Sequence, residues 1–383
     1  MPRAGRPAPP LCMLSNPFPH AFGLDIGDLS LKLVQLDNLG GCWRGPRYRI
    51  RVLRSLRLPY GLIVNGELVQ PEQVRHYIAK LLAGTKQGEK PVKSPWVVAC
   101  LPEAKTFVKL ITVGKAPEEI IEDDIMLEAK RHIPFADEDK YYLDWHALPC
   151  AEGSGECTRV LIGACPQNIA DSYTYLLESL GLGVVGLEIE ALAIVRTMIT
   201  AGKVYAGEAR GILDLGAARS SLIIYDNDSV QFSTSLNFSG EIITTAIQQA
   251  AAVAYEKAEA DKLRSGLALE GHERAHAGVL KLAENLARDI DRAINFYYTH
   301  FPRANRITHI TMCGGSARLV KLPELLTHCL KIDCAPGLPW KNLSEDKHIS
   351  APQFPDIEPL TYATAIGLAL RAADNIHSPS PVL

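Results

Sequence analysis

Two stretches decide the reading of this chain: FGLDIGDLSLKLVQL at residues 22–36 and ARGILDLGAARSSLIIYDNDSVQFSTSL at residues 209–236. In each, an apolar strand runs into an Asp-x-Gly turn and an alternating apolar strand follows. The turns are Asp25-Ile26-Gly27 and Asp214-Leu215-Gly216, the second aspartate falling 189 residues after the first. One D-x-G is a common turn; two at matching places of an internal echo point to a duplicated unit. Glycine lets backbone N–H groups approach an anion closely. An aspartate beside it suits hydrated Mg2+, which takes carboxylates, waters and phosphate oxygens together. A third turn, CGGSARL at 313–319, follows the apolar strand RITHITM and is expected to open a helix, an arrangement that frees backbone for a nucleotide. No G-x-x-x-x-G-K-[ST] and no G-x-G-x-x-G is present, which excludes a P-loop and the Rossmann fingerprint.

The surrounding text is that of a soluble α/β protein. Hydrophobic residues make up 47% and charged residues 22% of 383, too apolar for a disordered chain. A formal charge of −3 removes the electrostatic case for a nucleic-acid partner. No apolar run approaches the ~18 residues of a membrane span, so direct membrane insertion is not expected. The nine cysteines contain no C-x-x-C pair and read as reduced, mostly buried thiols of a cytoplasmic protein. His272-Glu273-Arg274-Ala275-His276 matches H-E-x-x-H. Gly271 and Gly278 bracket it, however, and Arg274 would place a cation in a dication site, so it reads as a polar helix start rather than a zinc site.

PEQVRHYIAKLLAG (71–84) is a helix with proline in its first turn and glycine at its exit. Between Trp96 and Gly183, the strands WVVACL, FVKLITV, YYLDWHAL and TRVLIGAC alternate with the helices PEEIIEDDIMLEAKRHIPF and QNIADSYTYLLESLGLG. A hairpin turn is expected at Asp226-Asn227-Asp228, a helical region from about 241 to 298 broken at Gly266–Gly278, and a closing helix of small residues in TYATAIGLALRAA. The expected organisation is an unpacked tail at 1–20, a first-lobe core at 21–92 and an inserted β-α-β-β-α subdomain at 93–182. A connecting segment at 183–210, a second lobe at 211–352, a closing helix returning to the first lobe at 353–375 and a tail at 376–383 complete it.

At these residues the chain resembles the actin-like ATPase superfamily. DIGDLSLK (25–32) is similar to its first phosphate loop, DLGAARSS (214–221) to its second, and GGSARL (314–319) to its adenosine loop. Lys32, seven residues after Asp25, falls where the superfamily places a phosphate-binding lysine. Glu259 and Lys262 resemble the E-x-x-K pair that lines the nucleoside. Within the superfamily, the text from Phe22 to Ala373 is similar to the PilM family of the type IV pilus assembly platform. The resemblance rests on LPYGLIVNGELVQPEQV, MLEAKRHIPFADEDKYYLDWHAL, LEIEALAIVR, SGEIITTAI and AIGLALR.

The resemblance implies an α/β, actin-like ATPase fold: two lobes of duplicated α/β subdomains with an FtsA-like inserted subdomain. It implies ATP or ADP with Mg2+ in the interlobe cleft, the metal held by Asp25 and Asp214 largely through water. Gly27, Lys32, Gly216, Ser220, Gly240, Glu259, Lys262, Gly314, Gly315, Ser316 and Arg318 would surround the nucleotide. Glu188 and Glu190 join Asp25 and Asp214 as candidates for the chemistry, which needs a group to orient water. Weak Mg-dependent ATPase activity is the most it implies. The implied partner is the N-terminal cytoplasmic peptide of PilN, with pilus motor ATPases and self-association as further expectations, and peripheral attachment to the inner membrane through partners. The alternatives are an FtsA-like filament-forming ATPase and a small-molecule kinase of the same superfamily. Two departures stand out: Asp28 replaces a usual small hydroxyl residue, where it would repel a phosphate unless turned away or bridged by metal, and Ser239-Gly240 replaces a usual glycine pair.

Overall fold

The run Phe22–Ile26 (β1) is buried at every position, as a strand covered on both faces must be. It pairs antiparallel with Ser30–Asn38 (β2), and β2 pairs antiparallel with Tyr48–Arg57 (β3). A computed structural model describes residues 16–40, 47–135, 140–148, 157–268, 273–301, 303–343 and 358–374. His272 of the H-E-x-x-H stretch and the tail from 376 lie outside these residues. The expectation of an unpacked stretch up to residue 20 does not hold for 16–20. The Asn16 amide donates to Ala372 O at 3.0 Å, and the Phe18 ring meets Trp96 edge-on at 4.9 Å.

A short hairpin, Ile63–Val64 (β4) and Glu67–Leu68 (β5), and the helix Pro71–Ala83 (α1) lead to Trp96–Leu101 (β6). The chain then runs through Phe107–Val113 (β7), Glu122–Ala129 (α2), Tyr141–Leu148 (β8), Thr158–Pro166 (β9) and Gln167–Glu178 (α3). Gly183–Ile189 (β10) and Glu190–Met198 (α4) close this half. The second half holds Glu208–Leu215 (β11), Ser220–Asp226 (β12), Ser229–Leu236 (β13), Gly240–Ala251 (α5), Tyr255–Ser265 (α6) and Glu273–His300 (α7). Arg306–Cys313 (β14), Leu322–Leu330 (α8), Asp333–Pro336 (β15) and Ala363–Ala373 (α9) finish it.

The internal echo is a topological duplication. The first sheet has the order β10-β6-β1-β2-β3, and the second contains β15-β14-β11-β12-β13. In both, the strand bearing the aspartate lies parallel to one neighbour and antiparallel to the other. The second sheet continues past β13 into β7-β9-β8. This divides the expected inserted block. β6 is buried on both faces and pairs with β1, and α3 packs into the core of the first sheet. Only the strands β7, β8 and β9 with α2 form the addition, joined to β13 through the Phe232–Lys109 pairing.

Two further differences have local causes. The long helical region also breaks at Ala252, whose φ of +51° is a left-handed cap that no glycine or proline signals. The helix expected directly after Gly314-Gly315 begins instead at Leu322, with Pro323 in its first turn. Helix α9 lies on β1 and α4, where its small residues permit close approach. A Cβ at Gly367 would sit 1.8 Å from Ala193 O of α4, so only glycine fits there. Among the described residues, no helix is long and apolar enough to cross a membrane.

Candidate functional site

The two D-x-G turns face one another across a cavity of about 170 Å³, lined from both halves of the chain. Asp25 lies directly opposite Lys32 in the β1–β2 register, and Lys32 Nζ donates to Asp25 Oδ2 at 2.9 Å. From the other side Cys100 Sγ donates to Asp25 Oδ1 at 3.5 Å. The second half repeats the arrangement. Asp214 lies opposite Ser221, and Cys313 Sγ on the parallel neighbour donates to Asp214 Oδ1 at 3.5 Å.

Carboxylates outnumber cations here. Asp25, Asp28, Glu103, Glu190 and Asp214 line the cavity against Lys32 and Arg219. Burial, then the charges of Asp214, Asp25 and Glu103, push the Glu190 carboxyl well above the usual range. Burial and the Asp25 charge push Asp214 up, although Cys313 and Lys32 act against the shift. Glu103 rises to about 6 through burial, opposed by the Ser233 hydroxyl that donates to it. For Lys32 burial works to lower the pKa, and the bonded Asp25 outweighs it, so the ammonium is held above its ordinary value. A site that crowds acids out of water gains from an added cation. Among the described residues, no group of three or more His, Cys, Asp or Glu stands ready to ligate a metal directly. The two carboxylates Asp25 and Asp214 on the cavity are of the kind that suits a cation keeping its waters, such as Mg2+.

Asp28 lines the cavity with its carboxylate engaged by three donors. Its Oδ2 accepts from Asn65 N at 3.1 Å, and its Oδ1 from Gly66 N at 3.1 Å and Arg219 Nη2 at 2.8 Å. Asn65 and Gly66 form the β4–β5 turn in left-handed conformations, φ +50° and +75°, which aims both N–H groups at one carboxylate. Among the described residues, Glu103 Oε2, Arg219 Nη1 and Ser220 Oγ are buried without a hydrogen-bond partner, and all three residues line the cavity. Native proteins rarely leave such groups unpaired.

Of the residues singled out in the sequence, Asp25, Gly27, Lys32, Glu190, Asp214, Gly216, Ser220, Gly314 and Gly315 come together on this cavity. Gly314 has φ +84°, and a Cβ there would meet Leu215 O at 2.5 Å, so the turn requires glycine. Glu188 does not join them. It is bonded in two-pronged fashion to Arg196 at 2.6 and 2.8 Å, with Arg371 at 3.3 Å. Although burial opposes it, Arg196 holds the Glu188 carboxyl below its usual value. Glu188 is therefore a buried ion-pair member and does not line the cavity.

Gly240, Glu259, Lys262 and Ser316 form a neighbouring cluster. Lys262 Nζ donates to Gly240 O at 3.2 Å, Thr244 Oγ1 at 2.9 Å and Glu259 Oε2 at 2.7 Å. A Cβ at Gly240 would lie 3.0 Å from Ser316 Oγ. Gly240 N donates to Gly216 O at 3.0 Å, which ties the cluster to the second turn. Arg318 projects outward and pairs with Glu358 at 3.6 Å. The sequence reading missed Glu103, Arg219, Ser221, Cys100 and Cys313. Ser221 had a signal, since it follows Asp214 by the same seven residues that separate Lys32 from Asp25. Glu103 had none, because the fold alone brings it to the cavity.

The pattern of the family described as Type IV pilus assembly protein PilM matches residues 23–373. The chain is similar to the solved structure described as the PilM-PilN type IV pilus biogenesis complex, with 26% identity and a TM-score of 0.75. That match covers 94% of this chain and 100% of that one. It is also similar to ethanolamine utilization protein EutJ from Carboxydothermus hydrogenoformans, with 13% identity over 92% of this chain and 90% of that one and a TM-score of 0.52. A diol dehydratase-reactivating factor in nucleotide-free form matches with 11% identity over 91% and 99% and a TM-score of 0.51. These last two likenesses concern the fold alone.

Proposed function

The chain belongs to the PilM family of type IV pilus assembly proteins and has the actin-like fold, and from that premise we propose that it is a nucleotide-dependent scaffold of the pilus platform. Mg2+ with ATP or ADP occupies the cleft, and its presence is coupled to binding of the N-terminal cytoplasmic peptide of PilN. The observation that carries the reading is the pair of opposed D-x-G turns lined by unpaired buried donors, Arg219 Nη1 and Ser220 Oγ, amid surplus carboxylate. Donors without partners suit phosphate oxygens, and surplus carboxylate suits the accompanying cation.

Lys32, Arg219, Ser220 and the turns at Gly27, Gly216 and Gly314 hold phosphate, while Asp25 and Asp214 hold the waters of Mg2+. Mg2+ bound there supplies positive charge that relieves the repulsion among the acids. Gly240, Glu259, Lys262, Gly314, Gly315 and Ser316 serve the adenosine, whereas Arg318, exposed and paired with Glu358, stands outside that group. The 170 Å³ cavity is smaller than the roughly 300–1,000 Å³ of ordinary ligand sites, and it accommodates the phosphate end. Admission of the nucleoside then requires Lys262 to loosen its bonds to Gly240 and Thr244. Glu190 remains to orient a water. Burial and the neighbouring acids hold its carboxyl above the usual range, which accords with slow turnover at most.

The PilN assignment is supported by the solved complex of a relative with PilN. Motor ATPases, self-association and attachment to the inner membrane through partners belong to the same reading. The test is to measure by native mass spectrometry the nucleotide carried through purification, and to titrate the PilN peptide. Wild type retains nucleotide and binds peptide, and Asp214→Ala loses both. Unchanged binding of both in Asp214→Ala contradicts the proposal.

A further inference from the structure

Arg219 belongs to the second half of the molecule by sequence and reaches the first half by its side chain. It lies in the turn between β11 and β12, and its Nη2 bonds Asp28 at 2.8 Å, 191 residues away. Its Nη1 is buried without a partner among the described residues. Asp28 is in turn fixed by the N–H groups of Asn65 and Gly66, and the Tyr173 hydroxyl donates to Gly66 O at 3.0 Å. The guanidinium is thus anchored by Nη2, while Nη1 is buried without a partner near Gly66, and both Arg219 and Ser220, whose hydroxyl is likewise unpaired, line the cavity. A planar guanidinium can serve two acceptors through separate nitrogens in fixed geometry, which a lysine ammonium cannot reproduce.

We propose that Arg219 is the residue by which this protein tells a nucleoside triphosphate from a diphosphate. Nη1 takes the terminal phosphate, and Asp28, a positioning residue, holds the guanidinium through Nη2. The inference rests on the nucleotide reading above and deepens it. It accounts for the carboxylate at position 28, whose charge serves the arginine rather than facing the phosphate. Because the Asp28–Arg219 contact joins the two halves, a triphosphate that engages Nη1 favours the arrangement in which that contact is made, by its differential affinity for it.

The test is calorimetric titration of wild type, Arg219→Ala, Arg219→Lys and Asp28→Asn with Mg2+ and either ADP or a non-hydrolysable ATP analogue. Wild type prefers the triphosphate, and Arg219→Ala loses about 10–100-fold for the triphosphate, as expected for a charged hydrogen bond, with little change for ADP. Arg219→Lys fails to restore the preference, and Asp28→Asn reduces it to an intermediate degree. If Arg219→Ala does not fold, Arg219→Lys and Asp28→Asn decide the matter. An unchanged preference in the folded variants, or equal losses for both nucleotides, overturns the inference and leaves the nucleotide reading standing. Wild type that binds neither nucleotide overturns both.

Discussion

Asp25 and Asp214 occupy the same place in two copies of one sheet. Each is the penultimate residue of its strand, and each accepts a thiol from the parallel neighbour at 3.5 Å, Cys100 in one case and Cys313 in the other. The difference lies on the antiparallel side, where Asp25 meets the ammonium of Lys32 and Asp214 meets the neutral Ser221. The duplicated site is therefore electrically lopsided, and the missing cation is missing at Asp214.

Asp214→Asn should stabilise the ligand-free protein at about pH 8 by roughly 1 kcal/mol or more, since each unit of raised pKa represents about 1.4 kcal/mol against the charged form. The same change should weaken Mg-dependent nucleotide binding by at least about tenfold, through loss of a charge that holds the metal's waters. Thermal melts with and without Mg2+ and nucleotide separate the two effects.

The buried acids also set a pH dependence. Burial raises the Glu103, Glu190 and Asp214 carboxyls above their unfolded values, so over the interval between the two the folded chain binds more protons than the unfolded one. Their contribution to stability therefore falls as pH rises from the ordinary carboxyl range through about 6 and beyond. Glu188, held below its usual value, contributes in the opposite sense: its stabilisation is present above its unfolded pKa and is lost as pH falls through the folded one. Urea midpoints of the ligand-free protein should decline from pH 5 to pH 8, and Glu190→Gln should flatten the decline.

Glu188→Gln should act on stability alone. Arg196 would remain buried without its main counter-charge, which costs about 3–5 kcal/mol. Nucleotide affinity, measured well below the lowered melting temperature, should stay within about twofold of wild type, a difference below 0.5 kcal/mol. A variant of unchanged stability that has lost nucleotide would return Glu188 to the site.

The thiols beside the two aspartates should be inert. Burial, then the charges of Asp25 and Asp214 respectively, push Cys100 and Cys313 far above the ordinary thiol range. The thiolate is the reactive form, so alkylation at about pH 8 followed by peptide mapping should mark the exposed Cys329 well before either. Early modification of Cys313 would show that the cleft opens readily.

The two Asp-x-Gly turns are legible because strand, Asp-x-Gly and strand are a local pattern, and their repetition announces the duplication. The Asp28–Arg219 contact was not legible, since position 28 reads as a misplaced carboxylate until the fold brings an arginine from 191 residues away. Glu188 and Glu190 looked equivalent in the segment LEIEAL. The end of β10 and the start of α4 separate them, sending Glu190 to the cavity and Glu188 to Arg196. The division of the inserted block is not legible because β6 and β7 are both apolar strands in sequence, and only their pairing partners differ.

The most direct measurement is a calorimetric titration of the purified, nucleotide-stripped protein with ATP, in excess Mg2+ and again in excess chelator. Surplus carboxylate around unpaired buried donors predicts firm binding with Mg2+ and binding at least about 100-fold weaker without it, the loss of a little under 3 kcal/mol. Equal affinity under both conditions, or no binding under either, would contradict the account.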